Sequence, residues 1–306
     1  MKKAEIRKHY FLDSYVIFAP KRNLRLHNIH EDQKEELDIN ECYFCPKNLK
    51  DQKIIQDFDN KKYPGIAIIE NKFPALTPDN PKAFGKQEVI IETPEHNKEL
   101  SDLPLEDIMR ILRVYDQRIK ELKKLKGVRH VLVFKNDGGK AGATVAHAHS
   151  QIIALPLIPP KIVRESDAVD EYFLNKGTCP HCDIIRKEMH SPRVAYLDDN
   201  VIGICPYASS NAFGVWIMPL KHQRTIDDFH GEELESLAKA LKKITGKLDD
   251  AGISYNYFFD NSLDLESHHF RLKVEPRINI WAGLELGTGM VINPVFPEDS
   301  AKFYNS

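Results

Sequence analysis

A chain of 306 residues with 42% apolar side chains, 29% charged side chains and a formal net charge of -2 has the make-up of a globular protein, and it is long enough for two cores of ordinary size. That charge excludes a dedicated nucleic-acid binder, which needs an excess of Lys and Arg to displace phosphate counterions, and leaves room for small anions at a local basic site. No apolar run is long enough to span a bilayer, and the opening Met1-Lys2-Lys3-Ala4-Glu5 runs into mixed charge and aromatics, so the expectation is a cytoplasmic protein with no nucleic-acid or membrane partner.

In chain order, the polar stretch 21–41 reads partly as loop, and Cys42-Tyr43-Phe44-Cys45-Pro46 follows as a Cys-x-x-Cys knuckle. In a reducing compartment such a pair is a metal site before it is a disulfide. Val89-Ile90-Ile91 predicts a strand that ends at Pro94-Glu95-His96. Leu105, Ile108, Ile111, Leu112, Tyr115, Ile119 and Leu122 recur at helical spacing, with Ser101-Asp102 as a start and Gly127 as a stop. A strand over 128–134, a glycine-rich loop over 136–142 and a second strand containing residues 147–155 come next. Consecutive prolines in Leu155-Pro156-Leu157-Ile158-Pro159-Pro160 then interrupt regular structure.

Beyond the prolines the order repeats. Cys179-Pro180-His181-Cys182 is followed by an apolar strand over 213–218, Pro219-Leu220-Lys221-His222, and a helix carrying Leu234, Leu237, Leu241, Ile244 and Leu248 that Gly252 closes. Strands over 255–259 and 269–275 follow. Residues 1–158 and 159–306 are therefore two halves of one design, and short loops with one long helix per half predict an α+β fold of antiparallel sheets. Cys205, alone in an apolar run, reads as a core residue.

Two thiolates of a Cys-x-x-Cys pair need two further ligands to complete a tetrahedral zinc site. The repeat supplies His96 and His147 for Cys42 and Cys45, and His222 and His269 for Cys179 and Cys182, with His268 competing for the last position. Two zinc ions per chain are expected. The segment from Val133 to Gln151 carries the catalytic signal: on a strand His147, His149 and Gln151 share a face, and Gly138, Gly139 and Gly142 let backbone N–H groups converge on a phosphate, with Asn136 and Thr144 as added donors.

This stretch resembles the active-site signature of the histidine-triad superfamily, in the branch of galactose-1-phosphate uridylyltransferase and ADP-glucose phosphorylase. Residues 15–22 are similar to that family's opening strand, Glu70-Asn71-Lys72-Phe73-Pro74-Ala75-Leu76 to its nucleoside-site motif, and residues 285–299 to its C-terminal segment. The resemblance implies two tandem histidine-triad-like halves, a nucleophile at His149, a zinc ligand at His147, and a nucleoside pocket involving Asn71 and Phe73. It departs from the family in two places. Ala148 stands where many uridylyltransferases have proline, and residues 270–274 lack the His-x-His of the enteric enzymes, which removes the basis for an iron site of their kind.

What the resemblance implies chemically is attack by neutral His149 on the α-phosphorus of a nucleotide sugar, leaving a nucleotidyl-histidine that a phosphate acceptor then resolves. Gln151, Thr144, the loop N–H groups, Arg22 and Arg25 are the expected partners of the phosphoryl charge. Gln151 cannot donate a proton as readily as histidine, which favours transfer between phosphates over hydrolysis. The implied activity is uridylyl transfer to a hexose 1-phosphate; adenylyl transfer from ADP-glucose to phosphate is the alternative, and a zinc-stabilised nucleotide-binding module without turnover the alternative of another class. A homodimer is the family's usual form.

Overall fold

The computed structural model describes residues 2–22, 38–260 and 265–306. Its fold is α+β, dominated by one ten-stranded sheet whose neighbouring strands pair antiparallel. The first half contributes β3 (Ile54–Gln56), β4 (Ala67–Glu70), β5 (Lys86–Ile91), β6 (His130–Asp137) and β7 (His149–Leu155). The second contributes β8 (Val194–Leu197), β9 (Val201–Ile204), β10 (Val215–Pro219), β11 (Tyr255–Asp260) and β12 (Arg271–Pro276). The order β3-β4-β5-β7-β6-β11-β12-β10-β9-β8 joins the two half-sheets at β6 and β11, where Phe134 lies opposite Phe258 and Asn136 opposite Asn256. A small sheet of β1 (Glu5–Lys8), β2 (Tyr15–Phe18) and β13 (Val291–Asn293) packs Val16 and Phe18 against Ala208 and Phe296.

The two long helices form where the sequence periodicity places them. Helix α1 (Leu105–Lys123) and helix α4 (Glu232–Asp250) lay their apolar stripes on one face of the sheet, and Ile108, Leu112, Ile119, Leu237, Leu241 and Ile244 join Ile90, Val131, Ile152 and Leu272 in one core. Each such side chain removed from water contributes about 1.5–3 kcal/mol. Helix α1 starts later than Ser101-Asp102, which form a 3-10 turn over Leu100–Asp102; Pro104 precedes the first residue of α1. Gly127, at φ 95°, ends the turn after the helix, a conformation that side chains with a Cβ resist.

Pro159 and Pro160 begin an element, the first as the cap and the second as the first residue of a helix. Pro160 occupies the first turn of α2 (Pro160–Lys176), where its missing N–H costs nothing. Helix α3 (Pro180–Glu188) begins inside the second knuckle, and α5 (Gly283–Thr288) and α6 (Pro297–Asn305) complete the chain. Cys205 is fully buried in the main core. Among the described residues, no helix is long and apolar enough to cross a membrane.

Candidate active site and metal centres

Both knuckles bring their ligands together. Cys42, Cys45, His96 and His147 form one cluster and Cys179, Cys182, His222 and His269 another, each with one donor atom per residue and all donors within 4.8 Å of one another. Zinc bonds of about 2.3 Å to sulfur and 2.0 Å to nitrogen give a tetrahedron with edges of roughly 3.5 Å. The Cys42 Sγ to His147 Nδ1 and Cys45 Sγ to His96 Nδ1 distances are 3.5 and 3.3 Å, and Cys182 Sγ lies 3.2 and 3.5 Å from the Nδ1 atoms of His222 and His269. The outer contacts repeat as well. His147 Nε2 donates to the Thr93 carbonyl at 2.8 Å and His269 Nε2 to the Pro219 carbonyl at 3.0 Å, which fixes Nδ1 as the ligand nitrogen in both. His268, the competitor for the last position, instead meets Ser166 at 3.1 Å. The two groups can hold metal ions.

The strand carrying the catalytic signature begins at His149, not at His147. His147 sits in the bend before β7, so the pair is separated by more than strand alternation: one ring turns to the metal ligands, and the other faces the site. The Cys2His2 group thus marks the strand entry. From there Ile152 and Ala154 enter the helix-side core and Ser150 meets Tyr115 of α1 at 2.8 Å, which puts His149 and Gln151 on the opposite face. Gln151 is half-buried between Val89 of β5 and Phe134 of β6.

His149 is held from several sides. Its Nδ1 lies 2.7 Å from the carbonyl of His147; a carbonyl only accepts, so Nδ1 carries the proton and Nε2 keeps the lone pair. Phe44, from inside the first knuckle, packs on the ring with centroids 4.9 Å apart. Behind the strand, the fully buried ammonium of Lys135 donates to Glu92 at 2.8 Å and to the carbonyl of His149 at 3.1 Å. Burial works against that ammonium, but Glu92 and Asp137 outweigh it and its pKa rises. Burial, aided by the Lys135 charge, pushes the His149 imidazole down to about 4. The ring is neutral near pH 7.

His149 opens onto a cavity of about 440 Å³ lined also by Asn136, Gly138, Gly139, Thr144 and His147. The C-terminal part of the glycine loop closes on itself, while Gly138 and Gly139 line the cavity. The N–H groups of Ala141, Gly142 and Ala143 donate back to the carbonyls of Gly138 and Gly139, making a closed 3-10 turn over Gly139–Ala141. Gly138 is required for another reason: at φ +82° a Cβ would sit 2.2 Å from Ser254 Oγ. Asn136 Oδ1 accepts from Asn256 Nδ2 at 2.9 Å, and the same amide donates to the Ala141 carbonyl at 2.9 Å. Asn256, from the second half, therefore holds the loop of the first.

The remaining expected residues lie elsewhere. Asn71 lines a separate cleft of about 430 Å³ with Glu70, Lys72, Leu76 and Lys86; its Oδ1 accepts from the Phe73 N–H at 2.9 Å, and Phe73 stands 85% exposed. The two clefts are separate cavities on the same half-sheet. Arg22 lies among the electrostatic neighbours of Glu285 in α5 and not among the residues lining the His149 cavity. Arg25 falls outside the described residues. Sequence reasoning missed Lys135, Glu92, Phe44 and Asn256. A lysine on the core-facing side of an otherwise apolar strand was the readable signal.

Residues 2–159 match the model of the galactose-1-phosphate uridyl transferase N-terminal domain. The chain is 31% identical to the ADP-glucose phosphorylase of Arabidopsis thaliana over 97% of its own length and 91% of that protein. It is 28% identical to the galactose-1-phosphate uridylyltransferase of Thermotoga maritima over 86% and 88% of the two chains. The crystal structure of the Arabidopsis ADP-glucose phosphorylase with bound ADP-glucose superposes with a TM-score of 0.86 at 29% identity, covering 99% of each chain. A uridylyltransferase structure superposes at 0.76 and 25% identity, covering 98% of this chain and 97% of that one.

Proposed function

The chain belongs to the galactose-1-phosphate uridyl transferase family, and from that premise we propose that it transfers a nucleoside monophosphate from a nucleotide sugar to a phosphate-bearing acceptor through a covalent intermediate on His149. The observation that carries this reading is the neutral, oriented imidazole: with Nδ1–H held by the His147 carbonyl, Nε2 is the nucleophile at the edge of the cavity. Attack on the α-phosphorus forms the N–P bond and breaks the bond to the sugar 1-phosphate, which leaves with its electron pair. An acceptor phosphate oxygen then attacks the same phosphorus and returns the imidazole. Gln151 and Thr144 are the side chains proposed to meet the phosphoryl oxygens, with Asn136, Gly138 and Gly139 shaping the wall and Gly142 closing the turn that follows them. Asn71 and Phe73 are proposed for the nucleoside end, with Arg22 and Arg25 reserved for the phosphates.

Zinc is the metal we propose for both clusters, since two thiolates and two imidazoles at tetrahedral edge distances suit it. Four protein ligands leave it no open position, so its contribution is to fix His147 and, through the His147 carbonyl, the His149 ring.

Of the two activities the sequence implies, adenylyl transfer from ADP-glucose to phosphate draws the broader support, from the relative matched over 97% of the chain and the superposition at 0.86. Uridylyl transfer to a hexose 1-phosphate is the second reading, supported by the Thermotoga relative. The test crosses UDP-glucose and ADP-glucose as donors with galactose 1-phosphate and inorganic phosphate as acceptors and follows sugar 1-phosphate release. ADP-glucose with phosphate is expected to turn over fastest; release from neither donor would leave only a binding module. We also propose a homodimer, on the exposure of Ile280, Trp281, Leu284 and Leu286 in one segment, to be read by sedimentation.

A further inference from the structure

The second half gives the active strand an internal counterpart. In β7, Gln151 lies opposite Val89 and Phe134; in β12, Lys273 lies opposite Trp216 and Phe258. His147, His149 and Gln151 therefore correspond to His269, Arg271 and Lys273. On the cavity side the halves differ as an open and a closed site: Arg271 pairs with Glu165 of α2, and about 10 Å³ is left there against about 440 Å³ beside His149. They differ on the helix side as well. The register that aligns Phe134 with Phe258 aligns Lys135 with Phe259, and it aligns Ser150, three residues past His147, with Leu272, three past His269. Phe259 and Leu272 are buried in the main core, where Phe259 meets Phe270 with ring centroids 5.7 Å apart.

The first half fills the same layer with a connected polar group. Lys135 Nζ lies 2.8 Å from Glu92 Oε2 and donates to the His149 carbonyl at 3.1 Å. Tyr115 Oη, from α1, lies 2.9 Å from Glu92 Oε1, 2.8 Å from Ser150 Oγ and 2.7 Å from Tyr257 Oη of β11. All five side chains are buried. A buried ion pair is commonly no more stabilising than well-packed apolar side chains of like volume, and the second half builds this layer from apolar ones. Stability therefore does not account for the pair, and the contact it makes with β7 is at His149 itself.

We infer that Lys135 is a positioning residue for transfer at His149: its ammonium, aimed by Glu92 and backed by Tyr115 and Tyr257, holds the carbonyl of His149 and so sets the line along which the imidazole meets phosphorus. This rests on His149 being the nucleophile. The carbonyls on both sides of the ring's attachment are then fixed, that of His147 by the ring's own Nδ1–H and that of His149 by Lys135. A group displaced by about 1 Å from the line of attack can lose about a hundredfold in rate. Because Tyr257 belongs to the second half, that half helps to aim a nucleophile it does not carry.

The test compares Lys135→Met, Lys135→Arg and Glu92→Gln/Lys135→Met with the parent, all as metal-replete full chains. Formation of nucleotidyl-His149 from ADP-glucose and from UDP-glucose is followed in single turnovers by quenched-flow mass spectrometry. The double variant keeps an acceptor for Tyr115 and removes the charged pair, so it is expected to melt near the parent. Its adduct should form about tenfold to a hundredfold more slowly, while the donor concentration for half-maximal rate stays within about twofold of the parent. Lys135→Arg, which keeps a donor for the carbonyl, should react faster than Lys135→Met. A double variant that forms adduct within about twofold of the parental rate overturns the inference and leaves the His149 reading standing, as does a loss confined to donor saturation. If the double variant folds poorly, Tyr257→Phe carries the test: removing one hydroxyl at the far end of the network should slow adduct formation by about threefold to tenfold, the worth of one hydrogen bond, and the parental rate there overturns the inference. No adduct on the parent's His149 from either donor removes the His149 reading and this inference with it.

Discussion

The two halves of this sheet share a metal tetrad, an outer hydrogen bond and a strand register, yet one opens onto a cavity and the other is filled. The frame and the chemistry are therefore separable. A Cys2His2 cluster marks the entry of a strand, and the residue two positions beyond the last ligand decides what the strand does. With histidine there, neutral and held by one carbonyl, the strand carries the nucleophile we propose. With arginine there, the strand carries a cation that pairs with Glu165 of α2.

The widest test of that contrast removes the two corresponding residues. His149→Asn should lower turnover by about 10⁴-fold or more and abolish the nucleotidyl adduct in mass spectra, while Arg271→Met should leave one adduct per chain and shift only the melting temperature. Retained turnover in His149→Asn would place the nucleophile elsewhere.

Next in size is the buried pair behind the active strand. Lys135→Met leaves the buried Glu92 side chain without its ammonium partner and should cost about 3–5 kcal/mol in denaturant unfolding, much of it recovered in Glu92→Gln/Lys135→Met. Should the double variant prove no more stable than the single, Lys135 acts through packing. The metal frames should then separate by function: Cys45→Ser is expected to lose one metal equivalent and about a hundredfold in activity, whereas Cys182→Ser loses one equivalent with activity largely kept. Elemental analysis alongside rates decides it, and equal losses of activity would mean that the second frame also supports the site.

A smaller effect is expected at Gln151, where histidine can move a proton that glutamine cannot. Gln151→His should raise the ratio of free nucleoside monophosphate to transferred product by up to about tenfold; an unchanged ratio would assign the exclusion of water to acceptor geometry. The smallest is a pH slope. Although burial opposes it, Arg271 and Lys273 hold the Glu165 carboxylate well below its ordinary range. As pH falls below about 4.5 the unfolded chain takes up a proton that the folded chain refuses, so the stability this group contributes is complete above that pH and drains away below it. Glu165→Gln should remove up to about 1.4 kcal/mol per pH unit from the acid limb of the stability curve.

Much of this was legible before any coordinate. Helical spacing located α1 and α4 because their apolar stripes face one core, and the doubled ligand order located both clusters. The bend at His147 was not legible, because strand alternation describes His-x-His-x-Gln equally well until the Thr93 carbonyl and the thiolates claim the first ring. Nor was the closed turn at the end of the glycine loop, where the N–H groups of Ala141, Gly142 and Ala143 find acceptors within the loop itself. Glu165 and Arg271 are 106 residues apart, and no local pattern announces a partner at that distance. Charges at core-facing strand positions, as at Lys135, are the marks that merited more weight.

The seam between β6 and β11 has a further consequence. Phe134 and Phe258 occupy the same place in their respective repeats, since each lies opposite the residue two positions past the strand's first, and they also lie opposite each other. A strand that pairs with its own counterpart in reverse direction is self-complementary, and a local dyad runs through the chain at that point. Such a seam does not need the peptide link across residues 156–160 to form. Separately produced halves should reassociate by fragment complementation, with an affinity that becomes concentration-dependent once the link is cut. The same seam offers the first half a second copy of itself as partner, and that assembly would carry two copies of the His149 site and none of the Arg271 pair.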